Sequence, residues 1–283
     1  PLQAPFLSSP STASSVSSIP STPTPSIAPL LTTSALSYQP FTTFPNITVP
    51  SKRDILKNMG AELHLVDPKP YSDPGNYQKV SKRLAKEIEK ERGVKTFWSG
   101  QFENTANYNF HKETTAIEIF NQTNGNIDGF TCSIGTGGTL TGVGIGLKEK
   151  NNDIKIACTD SQGSSMFNYF TKGKLEKKGD PSFTEGIGQA RITKNLEECS
   201  VDMSYYVDDK ECLDILYKLV KTDGLFLGTS SGVNVMGAIK MAKELGPGHK
   251  IVTILCDDAN KYYDKMFNKK FLNDNGLPLP EWL

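Results

Sequence analysis

The sequence predicts an α/β fold with a mostly parallel sheet covered by helices on both faces. Three observations carry that expectation. Strand-like and helix-like hydrophobic patterns alternate from Lys52 onward; all 62 charged side chains and all 24 glycines fall in residues 51–283; and one strand runs through a glycine-rich turn directly into a helix. A chain of 283 residues is long enough for one large or two small domains with a substantial core.

Residues 1–50 stand apart. Ser, Thr and Pro supply 29 of these 50 positions, and Asp, Glu, Lys, Arg, His, Gly and Cys are absent. Such a segment buries too little to offset chain entropy and is expected to be disordered or loosely extended, with an O-glycosylated stalk as the alternative. Beyond it, Glu62–Val66 reads as a strand, and Val80, Leu84 and Ile88 mark one face of a helix. Val94–Trp98 reads as a second strand. Thr105–Gln122 reads as one helix through Phe110, Ile117 and Phe120. Further strands are expected at Ile127–Ile134, Ile154–Thr159 and Ile251–Cys256. Helices at Leu140–Lys148, Glu211–Val220 and Val233–Leu245 separate or flank them.

The 31 basic and 31 acidic residues cancel, which argues against binding to nucleic acid or an anionic membrane by bulk electrostatics. No apolar run reaches the roughly 20 residues of a membrane span, and no signal segment opens the chain. Beginning at Pro1, it reads as a fragment or a processed product. The five cysteines (132, 158, 199, 212 and 256) are odd in number, scattered and without a C-x-x-C pair, as expected of reduced thiols in a cytoplasmic protein. With three histidines, no metal centre is expected.

The richest segment is Ile127–Leu140, where a strand leads through Gly135-Thr136-Gly137-Gly138-Thr139 into a helix. Glycines let an anion approach the backbone, and the unpaired first N–H groups of the helix sit at the positive end of its dipole. The hydroxyls of Thr136 and Thr139 add donors. The bland alternative is a tight turn that only packs helix on sheet. Leu140 occupies the third glycine position of the dinucleotide fingerprint, although Asp160 ends the next strand where a ribose-binding acid would stand. No Gly-Lys-Ser/Thr follows, so a P-loop is excluded. Gly228-Thr229-Ser230-Ser231-Gly232 fits the G-x-S-x-G nucleophile elbow, with Glu244 and His249 as the only partners for a triad downstream; a serine-rich helix cap is the simpler reading. His111 is expected to be a partly buried packing residue, and Lys82–Arg92 the solvated face of a helix.

Gln101-Phe102-Glu103-Asn104, Asn107 and His111-Lys112-Glu113-Thr114-Thr115 together resemble the cysteine synthase and cystathionine β-synthase family of pyridoxal phosphate (PLP) enzymes, of fold type II. The 135–139 turn looks like that family's phosphate loop. Glu185-Gly186-Ile187-Gly188 and residues 228–232 look like its active-site loops, and Leu277–Trp282 is similar to a bacterial-type ending. The resemblance covers about residues 52–283. It implies a disordered segment at 1–50, a remnant of the smaller domain at 51–100 and the PLP-binding domain at 101–283.

The implied activity is β-replacement or β-elimination on a serine-type or cysteine substrate, with sulfide as partner, in sulfur amino-acid metabolism; a homodimer is implied too. Gly135, Thr136, Gly137, Gly138 and Thr139 would hold the phosphate, and Ser230 and Gly186 would line the substrate side. Two departures stand out. Neither the family's Schiff-base lysine nor its Gly-Asn-Thr-Gly loop is matched, since residues 1–50 hold no lysine or glycine. And Asp257-Asp258 replaces the usual Asp-Ser, so that either Asp258 faces the ring nitrogen, or it points to solvent while Asp257 caps the next helix. This chain is therefore expected to be an impaired enzyme, and a frame shift or mis-joined exon near Pro50 would explain the abrupt change. The alternatives are a catalytically dead remnant or interaction protein, a dinucleotide-binding oxidoreductase, and a serine hydrolase acting through Ser230.

Overall fold

A computed structural model of the chain describes residues 40–45 and 50–283. They divide into two units, one ending at Asn104 and one running from Thr105 to Leu283. In the first unit, β1 (Phe41–Pro45), α1 (Pro50–Asn58) and β2 (Glu62–Val66) form a parallel β-α-β turn, with Phe41 opposite Glu62 and Pro45 opposite Val66. The expectation of disorder thus does not hold for residues 41–45; residues 1–39 and 46–49 lie outside the described ones. Phe41, Thr42, Thr43 and Phe44 are aromatic or β-branched and suit a pleated ladder, a local signal lost when composition is averaged over 50 residues.

Helix α2 (Tyr77–Arg92) starts where the Asn76 side chain accepts the Gln78 N–H (3.1 Å) and stops at left-handed Gly93. Arg92 grips the Glu62 carboxylate with both guanidinium nitrogens (3.0 and 3.1 Å), and that hydrogen bonding draws the carboxyl below its usual range. The strand expected at Val94–Trp98 is not formed. Phe97 is 83% exposed, and Thr96 and Trp98 hydrogen-bond back to Ala85 and Ser81 on α2 instead of entering a ladder. The apolar pattern was present, but no described strand pairs with it.

In the second unit the expected long helix is two: α3 (Ala106–Glu113) and α4 (Thr115–Gln122). The break is at Thr114, whose hydroxyl donates back to the Phe110 carbonyl (2.7 Å). Then follow β3 (Gly129–Cys132), α5 (Gly138–Lys150), β4 (Lys155–Ser161), α6 (Met166–Lys172), β5 (Met203–Val207), α7 (Asp209–Asp223), α8 (Thr229–Leu245), β6 (Ile251–Thr253), α9 (Tyr263–Met266) and α10 (Lys269–Asp274). The four strands are parallel in the order β5-β4-β3-β6. Among the described residues no helix is long and apolar enough to cross a membrane.

Both sheet faces are covered. Phe130, Ile156 and Val252 pack with Leu140, Val143 and Leu147 of α5. On the other face Ala157 packs with Ala238 and Met241 of α8. That second face is lined with small hydroxyls: Thr131 and Thr159 share a 2.7 Å hydrogen bond, and Thr253 donates to the Thr131 carbonyl (2.6 Å). Gly237 lies directly over Thr159, so α8 approaches where a larger residue would collide. Likewise Gly142 lets α5 meet α3, since a methyl there would overlap the Tyr108 carbonyl.

Candidate functional site

With β4 and β5 added on one side of β3 and β6 on the other, the connectivity reverses between β3 and β6. In such open sheets ligands bind beyond the carboxyl ends of the strands at that reversal. Two helices begin there: α5 straight after β3, and α8, whose Ser231 hydroxyl accepts the Cys256 N–H (2.9 Å) just past β6.

The 135–139 turn is built for close approach. Gly137 has φ +94°, where a side chain would be strained. A methyl on Gly138 would overlap the Asn107 side-chain oxygen, and one on Gly135 would lie 2.7 Å from the Gly186 carbonyl oxygen. Asn107 Nδ2 donates to Thr136 Oγ1 (2.9 Å), and Thr193 donates to the Thr136 carbonyl (2.7 Å). The α5 N-cap is a glycine with no side-chain capping bond. This is a cradle of backbone N–H groups and two hydroxyls, of the kind that receives a tetrahedral anion.

Gly186 sits against this cradle, since Gly188 N–H donates to the Ile134 carbonyl (2.9 Å). Its segment is anchored from α7: Asp209 accepts from the Ser182 hydroxyl (2.5 Å) and from the Phe183 N–H (3.0 Å), while Lys265 pairs with Glu185 (2.8 Å). Ser230 is buried in the first turn of α8, where its hydroxyl faces the Cys256 thiol; burial pushes that thiol up. Thus 135–139, Gly186 and Ser230 all lie along the carboxyl edge of one sheet.

Asp258 is exposed and begins the 3₁₀ turn Ala259–Tyr262, accepting the Asn260 N–H (2.8 Å). Asp257 does not cap; it accepts from Tyr262 (2.9 Å) and pairs with Lys261. Asp258→Ala is expected to cost about 0.5–2 kcal/mol, the loss of a cap, and Asp258→Ser much less because a capping oxygen remains. Urea unfolding midpoints of the two variants check this.

Other candidates are separated. Ser230 and His249 flank opposite ends of α8, 17 residues or about 25 Å long. His249 lies against the Gly246 carbonyl, and Glu244 accepts from Tyr205 (2.9 Å), so the hydrolase triad does not form. Asp160 is buried, its carboxyl raised to about 6 by burial, and it accepts the Phe167 N–H (2.6 Å). It anchors the start of α6 and is closed to a ribose. His111 is buried, as expected of a packing residue, but it also reaches the cradle: Nε2 lies 3.3 Å from Thr139 Oγ1 and Nδ1 2.9 Å from Thr115 Oγ1.

Sequence reasoning passed over Asn234. Its Oδ1 accepts the Ser133 N–H (2.7 Å) and its Nδ2 donates to the Ile254 carbonyl (2.8 Å), tying the ends of β3 and β6 to α8. Its place two residues beyond the 228–232 glycine-serine run was the available signal.

The chain is similar to several known proteins. Cysteine synthase 1 of Emericella nidulans is 40% identical over 237 residues, 82% of this chain and 63% of that protein. Cysteine synthase 1 of Neurospora crassa is 39% identical over 245 residues, 84% of this chain and 64% of that protein. The chain thus spans less than two thirds of the length of these relatives. The crystal structure of an O-acetylserine dependent cystathionine beta-synthase from Helicobacter pylori superposes with a TM-score of 0.72 at 29% identity, over 84% of this chain and 73% of that one. The family model described as pyridoxal-phosphate dependent enzyme matches residues 29–257, from ahead of β1 to four residues past the end of β6. By that match the chain belongs to the pyridoxal-phosphate dependent enzymes.

Proposed function

We propose that residues 105–283 are the cofactor-holding part of a cysteine synthase-like enzyme, acting by β-replacement or β-elimination on a serine-type or cysteine substrate with sulfide as nucleophile or product. The observation that carries this reading is the cradle at 135–139. Its glycines let the turn pack without Cβ atoms against Asn107, Leu196 and Gly186 at the start of α5, and the hydroxyls of Thr136 and Thr139 lie in that turn with no carboxylate bonded to them. A phosphate ester fits that donor set. Gly135, Thr136, Gly137, Gly138 and Thr139 would hold the phosphate of PLP, while Ser230 and Gly186 would line the substrate side. Asp258 against the ring nitrogen is proposed on the family resemblance alone; its backbone bridges Leu227 beside the start of α8, and its exposed carboxylate caps the next turn. When bound, PLP supplies an electron sink for negative charge at the substrate carbon bearing the amino group.

The chain's own contribution would be to bind and orient. The 182–188 segment, tied to Asp209 and Lys265, would hold Gly186 against the ligand, and Asn234 would keep the two strand ends in register. Residues 1–51 hold no lysine, so for the stretch 1–283 taken by itself the proposal includes impaired turnover, with a PLP-binding remnant without catalysis as the second reading.

Equilibrium titration separates these readings from the others. PLP is expected to bind about tenfold or more tightly than pyridoxal, which lacks the phosphate, because charge-assisted hydrogen bonds are lost with it. NADH fluorescence should not change, and a fluorophosphonate should leave Ser230 unlabelled. Equal affinity for PLP and pyridoxal would sink the phosphate assignment.

A further inference from the structure

We propose that Asn107 and His111, one turn apart on α3, are positioning residues that commit the hydroxyl protons of Thr136 and Thr139 to the cradle, so that the loop takes a phosphate dianion as a set of donors. This deepens the cofactor reading above and rests on it.

A threonine hydroxyl has one proton and two acceptor sites. Thr136 Oγ1 receives Asn107 Nδ2–H at 2.9 Å and Gly138 N–H at 3.3 Å. With both acceptor sites filled, its proton has to go to a separate acceptor. Thr139 Oγ1 faces His111 Nε2 at 3.3 Å, and His111 Nδ1 faces Thr115 Oγ1 at 2.9 Å. Burial lowers the His111 pKa, and in a neutral imidazole one ring nitrogen donates while the other accepts. An anion in the cradle decides which. If Nε2 carries the proton, Thr115 donates to Nδ1, Nε2–H donates to Thr139, and the Thr139 proton points to the anion. The opposite tautomer would spend the Thr139 proton on the ring and aim lone pairs at a negative charge.

The same helix face thus fills one acceptor site on each of the two hydroxyls. Gly138 and Gly142 make this reach feasible, because α5 lies so close to α3 that a methyl at either would overlap Asn107 or the Tyr108 carbonyl.

The test uses the full chain. PLP and pyridoxal affinities are measured for wild type, His111→Leu, His111→Gln, Thr139→Val and the His111→Leu/Thr139→Val double variant, with thermal midpoints as a control for folding. His111→Leu and Thr139→Val should each weaken PLP about tenfold and leave pyridoxal unchanged, the double variant should be no worse than either, and His111→Gln, which keeps an N–H donor, should restore most of the loss. In wild type loaded with PLP, long-range ¹H–¹⁵N spectra should show His111 protonated at Nε2 with Nδ1 bare. Additive losses, equal losses for pyridoxal, or an Nδ1-protonated ring would overturn the proposal while leaving the cofactor reading intact. Absence of phosphate-dependent binding in wild type would overturn both.

Discussion

Incubated with PLP and reduced with borohydride, the chain is expected to yield no lysine peptide labelled to one equivalent. Sulfide-dependent cysteine formation should fall at least ~10²–10⁴-fold below that of a lysine-bearing relative, the range for general-base catalysis alone. The expectation rests on where the lysines are. The first is Lys52, in the opening turn of α1 within the first unit. In the second unit, Lys112, Lys148, Lys240 and Lys265 are paired with Glu149, Asp202, Glu211 and Glu185. Loss of covalent attachment adds to loss of the base. One lysine labelled stoichiometrically, together with cysteine formed from sulfide, would contradict the proposal of impaired turnover.

Asn234→Leu should destabilise the second unit by about 2–5 kcal/mol. The substitution keeps the branched heavy-atom skeleton but leaves the Ser133 N–H and the Ile254 carbonyl without their partner, and each unmet buried group costs about 1–3 kcal/mol. Asn234 is 1% exposed, so water does not replace it cheaply. Because these groups close β3 and β6 at the end that carries the cradle, PLP affinity should drop with stability. Urea unfolding gives the free energy, and a wild-type midpoint in the leucine variant would remove Asn234 from this role.

Much of the second unit was legible because its signals are local. The run from Gly129 through Gly138 carries strand, turn and helix start in sequence, and β3 and α5 flank the turn as the pattern implies. The parallel sheet followed from alternation alone. Other elements depend on partners distant in the chain. Phe41–Pro45 becomes a strand through β2, some twenty residues later, while Val94–Trp98, equally apolar, finds no ladder among the described residues. Thr114 breaks a helix that hydrophobic period alone would continue, because its hydroxyl competes for the Phe110 carbonyl.

In the site, the glycines and the Thr136 and Thr139 hydroxyls were visible in the sequence, while the side-chain contacts that hold them were not. Asn234 reads as an ordinary helical polar residue until its amide is seen bridging two strand ends. His111 reads as packing until its second nitrogen is found against Thr139. Asp160 and Ser230 show the converse. Each lies where a motif wants it, and the structure engages Asp160 in capping α6 and sets Ser230 at the far end of α8 from His249.

Amide hydrogen exchange across the full chain, with and without PLP, tests the central claim most directly. Added PLP should slow exchange at residues 135–139 and in the first turn of α8, and pyridoxal should leave 135–139 unchanged. Protection by PLP confined to surface lysines, or equal protection by pyridoxal at the cradle, would contradict the account.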